Sequence, residues 1–231
     1  MLGSVAVGES VQFDSVAGAA SGYFARPGAS ADVHAGVVVI QEWWGLVPHI
    51  EDVAERVAAL GYVALAPDLY HGKSTVEAEE AHHLMEGLDW GHAAQELAGA
   101  VAYLRDVAGV SRVGVIGFCM GGALTVIAAA DPGVDAYSSF YGFPPPGSVD
   151  LDRIDAPGLI FFGEHENAFS VPDAQAFAEQ QRASGKQSEV VVYPGAGHAF
   201  FNDTRPEAYQ PAAAGNAWKR TVELFEQHLH G

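Results

Sequence analysis

Short runs of β-branched residues alternate with stretches in which apolar positions recur every three or four residues, and this alternation continues to the end of the chain. Residues 36–41 (GVVVIQ), apolar as far as Gln41, and 113–118 (VGVIGF), apolar throughout, are as expected of strands buried on both faces. Residues 62–66 (YVALA), 136–141, 158–162 and 189–193 predict further strands. Between them, Ile50, Val53, Val57 and Leu60 fall on one helical face over 49–60, and Gly61 supplies a stop. The stretch 76–104 holds two helical patterns broken near 87–91, the second carrying Leu97, Val101 and Leu104 on one face. Helical patterning resumes over 123–130 and fills 173–183 and 212–229. The first 34 residues predict extended segments, with weak strands at 11–13 and 22–24 forming an antiparallel edge. No repeat, low-complexity tract or long linker divides the chain. The order of elements predicts a single α/β domain over 1–231: a doubly wound, mostly parallel sheet with helices on both faces, binding its ligand at the carboxyl ends of the strands.

Composition narrows the partners. Eleven Lys and Arg against 29 Asp and Glu give a net charge of −18, which disfavours nucleic acid or an anionic membrane. The longest apolar run, 123–130, is far below the roughly 18 to 20 residues needed to span a bilayer. The first basic residue is Arg26, so no secretory signal is expected and the cytoplasm is the expected compartment. One cysteine, Cys119, excludes an intrachain disulfide and any multi-cysteine metal site.

That cysteine stands where chemistry is expected. Gly117-Phe118-Cys119-Met120-Gly121 is a G-x-C-x-G turn between a strand and a helix, the thiol version of the nucleophile elbow. Glycines are needed there because side chains two residues before and after the nucleophile would collide with neighbouring backbone. A helix starting at Met120 points its amide dipoles at the sulfur, favouring negative charge on it. A free cysteine is more often a small buried hydrophobe; the flanking glycines and the strand-to-helix setting argue otherwise here.

A thiol nucleophile needs a base and a group that orients the base, in the chain order nucleophile, acid, histidine for this architecture. Of ten histidines, His198 lies in the glycine-rich stretch after the last strand and is the expected base. His49, His71 and His165, near strand ends, are weaker rivals. The acid should follow strand 158–162: Glu166 is the first choice, with Glu164, Asn167 and Asp173 competing. Met120 and Trp43 are the expected amide donors to an oxyanion, and the Trp43-Trp44 pair also reads as a hydrophobic plug, with Trp44 against substrate. Glu42 ends a buried strand beside the thiol, where a carboxylate needs a partner; it could bond the thiol or take its proton, unless it is a surface glutamate.

With VVVIQEWWG, ALAPDLY, GVIGFCMGG, the GEHE loop and YPGAGHAFFND in place, the chain resembles the dienelactone hydrolase family of α/β-hydrolases from about Val37 onward. The resemblance implies a Cys-acid-His triad at Cys119, Glu166 and His198, and a thiol-regulating glutamate at Glu42. The sequence departs from the family in two respects. The family acid is usually aspartate in a loop about one residue shorter. Members that cleave dienelactone hold the substrate carboxylate with arginines, yet no Arg occurs between Arg56 and Arg105, and Asn202 stands four after His198. Lys73 and Arg205 are the fallback anion binders. The expected activity is hydrolysis of a small-molecule lactone or activated ester, with no metal or organic cofactor. A non-catalytic ligand-binding protein or thiol sensor on the same fold is the rival, favoured by the unusual acid.

Overall fold

The computed structural model describes residues 8–28 and 33–230. Parts of the expected N-terminal edge, residues 1–7 and 29–32, lie outside the described residues. The remainder of that edge is a hairpin, β1 (Glu9–Ser15) and β2 (Gly18–Ala25), paired antiparallel. Then follow β3 (Ala35–Ile40), α1 (Pro48–Ala59), β4 (Val63–Pro67), α2 (Ala78–Glu86), α3 (Trp90–Asp106), β5 (Arg112–Phe118), α4 (Met120–Ala128), β6 (Ala136–Phe140), β7 (Gly158–His165), α5 (Val171–Ala183), β8 (Ser188–Gly197) and α6 (Pro211–Leu229). Among the described residues these strands make one eight-stranded sheet in the order β1-β2-β4-β3-β5-β6-β7-β8. Every pairing from β4 to β8 is parallel.

Helices cover both faces. Gly36 of β3 pairs with Val113 of β5, so Gly114 points to the opposite face. A Cβ on Gly36 would meet Leu104 of α3, and one on Gly114 would meet Phe225 and Leu229 of α6. The all-apolar runs of β3 and β5 are thereby explained: both of their faces are covered. No helix among the described residues is long and apolar enough to cross a membrane.

Two strands run further than patterning predicts. β7 continues to His165 and β8 to Gly197, with an irregularity in their register between Gly163 and His165. The PGAG of β8 reads as a loop in sequence because glycine and proline are turn formers. Here Gly163 supplies the space, since a Cβ there would run into the Ala196 and Gly197 carbonyls. α1 and α5 each begin with a proline in the first turn, where its missing N–H costs nothing; this is why both start one or two residues ahead of the expected boundary.

Candidate active site

The carboxyl ends of five parallel strands converge on one place. After β5 the chain turns at Cys119 with φ 58° and ψ −120°, a left-handed conformation costly for any residue with a Cβ. Close backbone on both sides forces that turn. A Cβ on Gly117 would overlap the Gly121 carbonyl, and one on Gly121 the Gln41 carbonyl of the strand next door. The Cys119 amide donates to the Phe140 carbonyl at 2.9 Å, pinning the elbow to β6. The sulfur therefore stands at the N-terminus of α4, on the wall of a cavity of about 590 Å3.

His198 reaches the same cavity from just beyond β8 and interacts with Cys119, which shares that cavity wall. Its Nδ1 lies 2.9 and 3.0 Å from the two carboxylate oxygens of Glu166, leaving Nε2 for the sulfur. The Glu166 side chain is fully covered, and its Oε1 also accepts the backbone N–H groups of Asn167, Ala168 and Phe169. Burial alone would raise the Glu166 pKa. The hydrogen bond and charge of His198, with the Ala168 and Phe169 amides, override it and hold the carboxyl below its ordinary value. Burial likewise works against an imidazolium at His198, yet its bonds and charge interactions with Cys119 and Glu166 raise its pKa to about 10. Phe169 stacks on the ring and Tyr141 meets it edge-on, fixing its plane. Glu166 thus occupies the place expected for the acid; Asn167 only lines the cavity, and Glu164 accepts from Gly195 N–H.

Glu42 is buried, which excludes a surface role. It lines the cavity, but both of its hydrogen bonds go elsewhere: Oε1 accepts from the Tyr141 hydroxyl at 3.1 Å and Oε2 from Asn202 Nδ2 at 2.6 Å. Thr204 fixes Asn202 in turn, through its amide and hydroxyl to Oδ1. Burial and the neighbouring Glu42 push the Tyr141 phenol well above its ordinary pKa, so it remains a donor. Sequence reasoning missed this clamp. Asn202 was legible only as a position without the family's cation, and nothing in the pattern of β6 marks the residue after it, Tyr141, which takes φ 40° to turn inward. Tyr141→Phe leaves one buried carboxylate oxygen without its donor, at a cost of about 1–3 kcal/mol. Thermal unfolding should show a Tm lower by roughly 2–12 °C for a chain of this size, and an unchanged Tm would remove the clamp from the account.

Trp43 and Met120, the expected oxyanion donors, lie on the cavity lining and next to Cys119 in the chain, respectively. Met120 opens α4, so its amide has no carbonyl one turn earlier to bind, and Trp43 borders the cavity. Trp44 packs against Trp43 and carries the Arg205 guanidinium 3.6 Å above its ring. Arg205 therefore does line the cavity, with Glu207 3.7 Å away. Lys73 does not. The bridge between Gly45 and Ser74 carries that turn past the cavity, and Lys73 borders a different hollow beside α2 and α3. From there it cannot hold an anion in this site. Met85 and Trp90, from α2 and α3, complete the apolar wall; they read in sequence as ordinary helix residues.

A family model for the dienelactone hydrolase family matches residues 20–229. The chain belongs to the dienelactone hydrolase family. Among its relatives, "Protein usf" of Aquifex pyrophilus is 33% identical over 96% of this chain and 100% of its own. The "Putative carboxymethylenebutenolidase" of a Synechocystis strain is 33% identical over 90% of this chain and 92% of its own. Among solved structures, a "Putative Dienelactone Hydrolase" from Klebsiella pneumoniae superimposes with a TM-score of 0.84 at 26% identity, covering 97% of this chain and 100% of the other. This family member is accordingly a hydrolase of carboxylic ester or lactone bonds on the α/β-hydrolase fold.

Proposed function

We propose that this family member is a cysteine-dependent hydrolase of small, uncharged lactones or activated esters. The observation that carries the reading is the Glu166–His198 pair brought onto the same largely apolar cavity wall as the Cys119 sulfur, with which His198 interacts. The volume, about 590 Å3, is in the range of small-molecule sites. The reactive form pairs a Cys119 thiolate with the His198 imidazolium, the state of the ring that its neighbours favour. The thiolate attacks the carbonyl carbon, and the oxyanion settles on the amides of Met120 and Trp43. As the tetrahedral intermediate collapses, the imidazolium gives its proton to the leaving alkoxide, and a thioester remains on Cys119. Neutral His198 then takes a proton from water; the hydroxide attacks the thioester, and collapse releases the acid and restores the thiolate. An amine leaves such an intermediate less readily than the thiolate does, so amides are poor substrates. A lone thiol that must stay reduced also fits the cytoplasm.

Charge around the cavity selects the substrate. Apart from the His198 imidazolium, Arg205 is the one cation among the described residues lining it, and it is engaged with Trp44 and Glu207. Glu42, Glu86 and Glu207 line it too. A substrate carboxylate would meet net negative charge there. A neutral γ-lactone and its carboxylated analogue test this directly: sustained turnover of the neutral compound is expected, with kcat/KM about tenfold above that of the carboxylated one, a difference of about 1.4 kcal/mol. A preference for the carboxylated lactone that collapses in Arg205→Ala overturns the charge argument, and a single burst without turnover on either compound favours the thiol-sensor reading.

A further inference from the structure

A second cluster of chemistry-bearing side chains lies outside the catalytic cavity, around the hollow that Lys73 borders. His92 and Glu96 stand four residues apart on α3, hence on one face of the helix, while His71 arrives from the turn after β4. Both imidazoles present Nε2 to the same carboxylate oxygen: His92 lies 3.3 Å and His71 3.6 Å from Glu96 Oε1. The two rings are perpendicular, 6.0 Å apart between centroids, so the nitrogens approach from different directions. All three donor atoms lie within 4.8 Å of one another.

From these positions we propose that His71, His92 and Glu96 form a binding site for a divalent transition metal, zinc by preference. Donors about 2.0–2.1 Å from a tetrahedral zinc are separated by roughly 3.3–3.4 Å, which is the spacing of His92 from Glu96 and close to that of His71. The donor set, two imidazoles and one carboxylate, suits zinc and its neighbours and is wrong for magnesium or calcium, which take oxygen ligands. Charge points the same way. The Glu96 side chain is 3% exposed, and among the described residues it is paired with the two histidines and with no lysine or arginine. A buried carboxylate lacking a permanent counter-charge gains one from a divalent ion. The site is also reachable: the three residues border a hollow of about 370 Å3 that can admit the ion and leave its fourth position to water.

His71 is held for this task. It takes φ 51°, flanked by Tyr70 and Gly72, whose amides both donate to the Asp68 carboxylate. Tyr70 in turn donates its hydroxyl to the Met120 sulfur at 3.4 Å. A metal bridging His71 to α3 would fasten the turn that supports the first residue of α4.

Zinc titration of the chelator-treated, full-length protein by calorimetry tests the site. The measurement is made in a Cys119→Ser background, so that the catalytic thiol and His198 cannot supply a competing site. One equivalent of zinc is expected to bind, and at a free concentration 100 times Kd the Tm should rise by about 5–11 °C. His71→Asn with His92→Asn, two half-exposed positions, should keep the fold and lose at least 100-fold in affinity; Glu96→Gln should lose affinity as well. Cobalt in place of zinc should give tetrahedral d–d bands without a sulfur-to-cobalt charge-transfer band, in wild type as in the serine background. Absence of zinc binding in the Cys119→Ser protein, or binding left unchanged by the double asparagine variant, overturns the proposal.

Discussion

Cys119→Ala is expected to lower kcat for p-nitrophenyl acetate by about ten-thousand-fold or more, while circular dichroism and Tm stay near those of the wild type. The size follows from what is removed. The thioester route disappears altogether, and what remains is whatever the oxyanion amides and the cavity confer on direct attack by water, a residue of activity that in other hydrolases falls several orders of magnitude below the intact machinery. Stability should change little, because the thiol already borders a cavity, so its loss opens little new void, and the strain of the φ 58° turn stays with any residue that has a Cβ. Cys119→Ser is the sharper comparison. It keeps the geometry but replaces a thiolate that pairs with an imidazolium by a hydroxyl that must be deprotonated during attack, so it should lie between alanine and wild type. An alanine variant retaining a tenth or more of wild-type kcat would show that water, not sulfur, attacks the ester.

The parts of this site that could be read from sequence are those in which backbone geometry dictates residue type. The elbow needs glycine at 117 and 121 because strands and helix approach within van der Waals contact, and such a requirement leaves a local mark. β3 and β5 were legible for a related reason: burial on both faces forces unbroken apolar runs. His198 followed from its place beyond the last strand. What was illegible depends on contacts between residues far apart in the chain. Tyr141 and Asn202 meet Glu42 across 99 and 160 residues, and neither has a periodic or compositional signature. The paths of β7 and β8 past their apolar segments could not be read either, since PGAG resembles a turn until Gly163 is set beside it. Lys73 failed for want of direction: its charge made it a fallback anion binder, but sequence could not say on which side of the Trp44 turn it would emerge. Glu166 shows the opposite case. Its departure from the family's usual aspartate weakened the expectation, yet the longer side chain still meets His198 Nδ1 with both oxygens while three amides fix its place.

Glu166→Gln should therefore cost about a hundred- to ten-thousand-fold in kcat, and it should also move the pH profile in a direction set by charge. In the wild type, the His198 pKa of about 10 rests on Cys119 and Glu166 acting together against burial. The proposed mechanism needs the imidazolium to protonate the leaving alkoxide, so kcat/KM should hold through the neutral range and fall as pH rises through about 10. Glutamine retains a hydrogen-bonding side chain and removes the negative charge, so the imidazolium loses one of its two stabilisers and the alkaline limb must shift to lower pH. The same sign governs stability. A group whose pKa is higher in the folded chain stabilises the fold fully below its ordinary value, 6.5 for histidine, and loses that contribution as pH rises through the raised value. Glu166, held below its ordinary 4.5, contributes fully above 4.5 and loses it as pH falls through the lowered value. Both contributions are complete between about pH 4.5 and 6.5. The Tm difference between wild type and Glu166→Gln should be greatest in that window and shrink toward pH 10 and beyond. A variant whose alkaline limb stays near 10 would mean that Cys119 alone holds the proton on His198, and that Glu166 orients the ring without charging it.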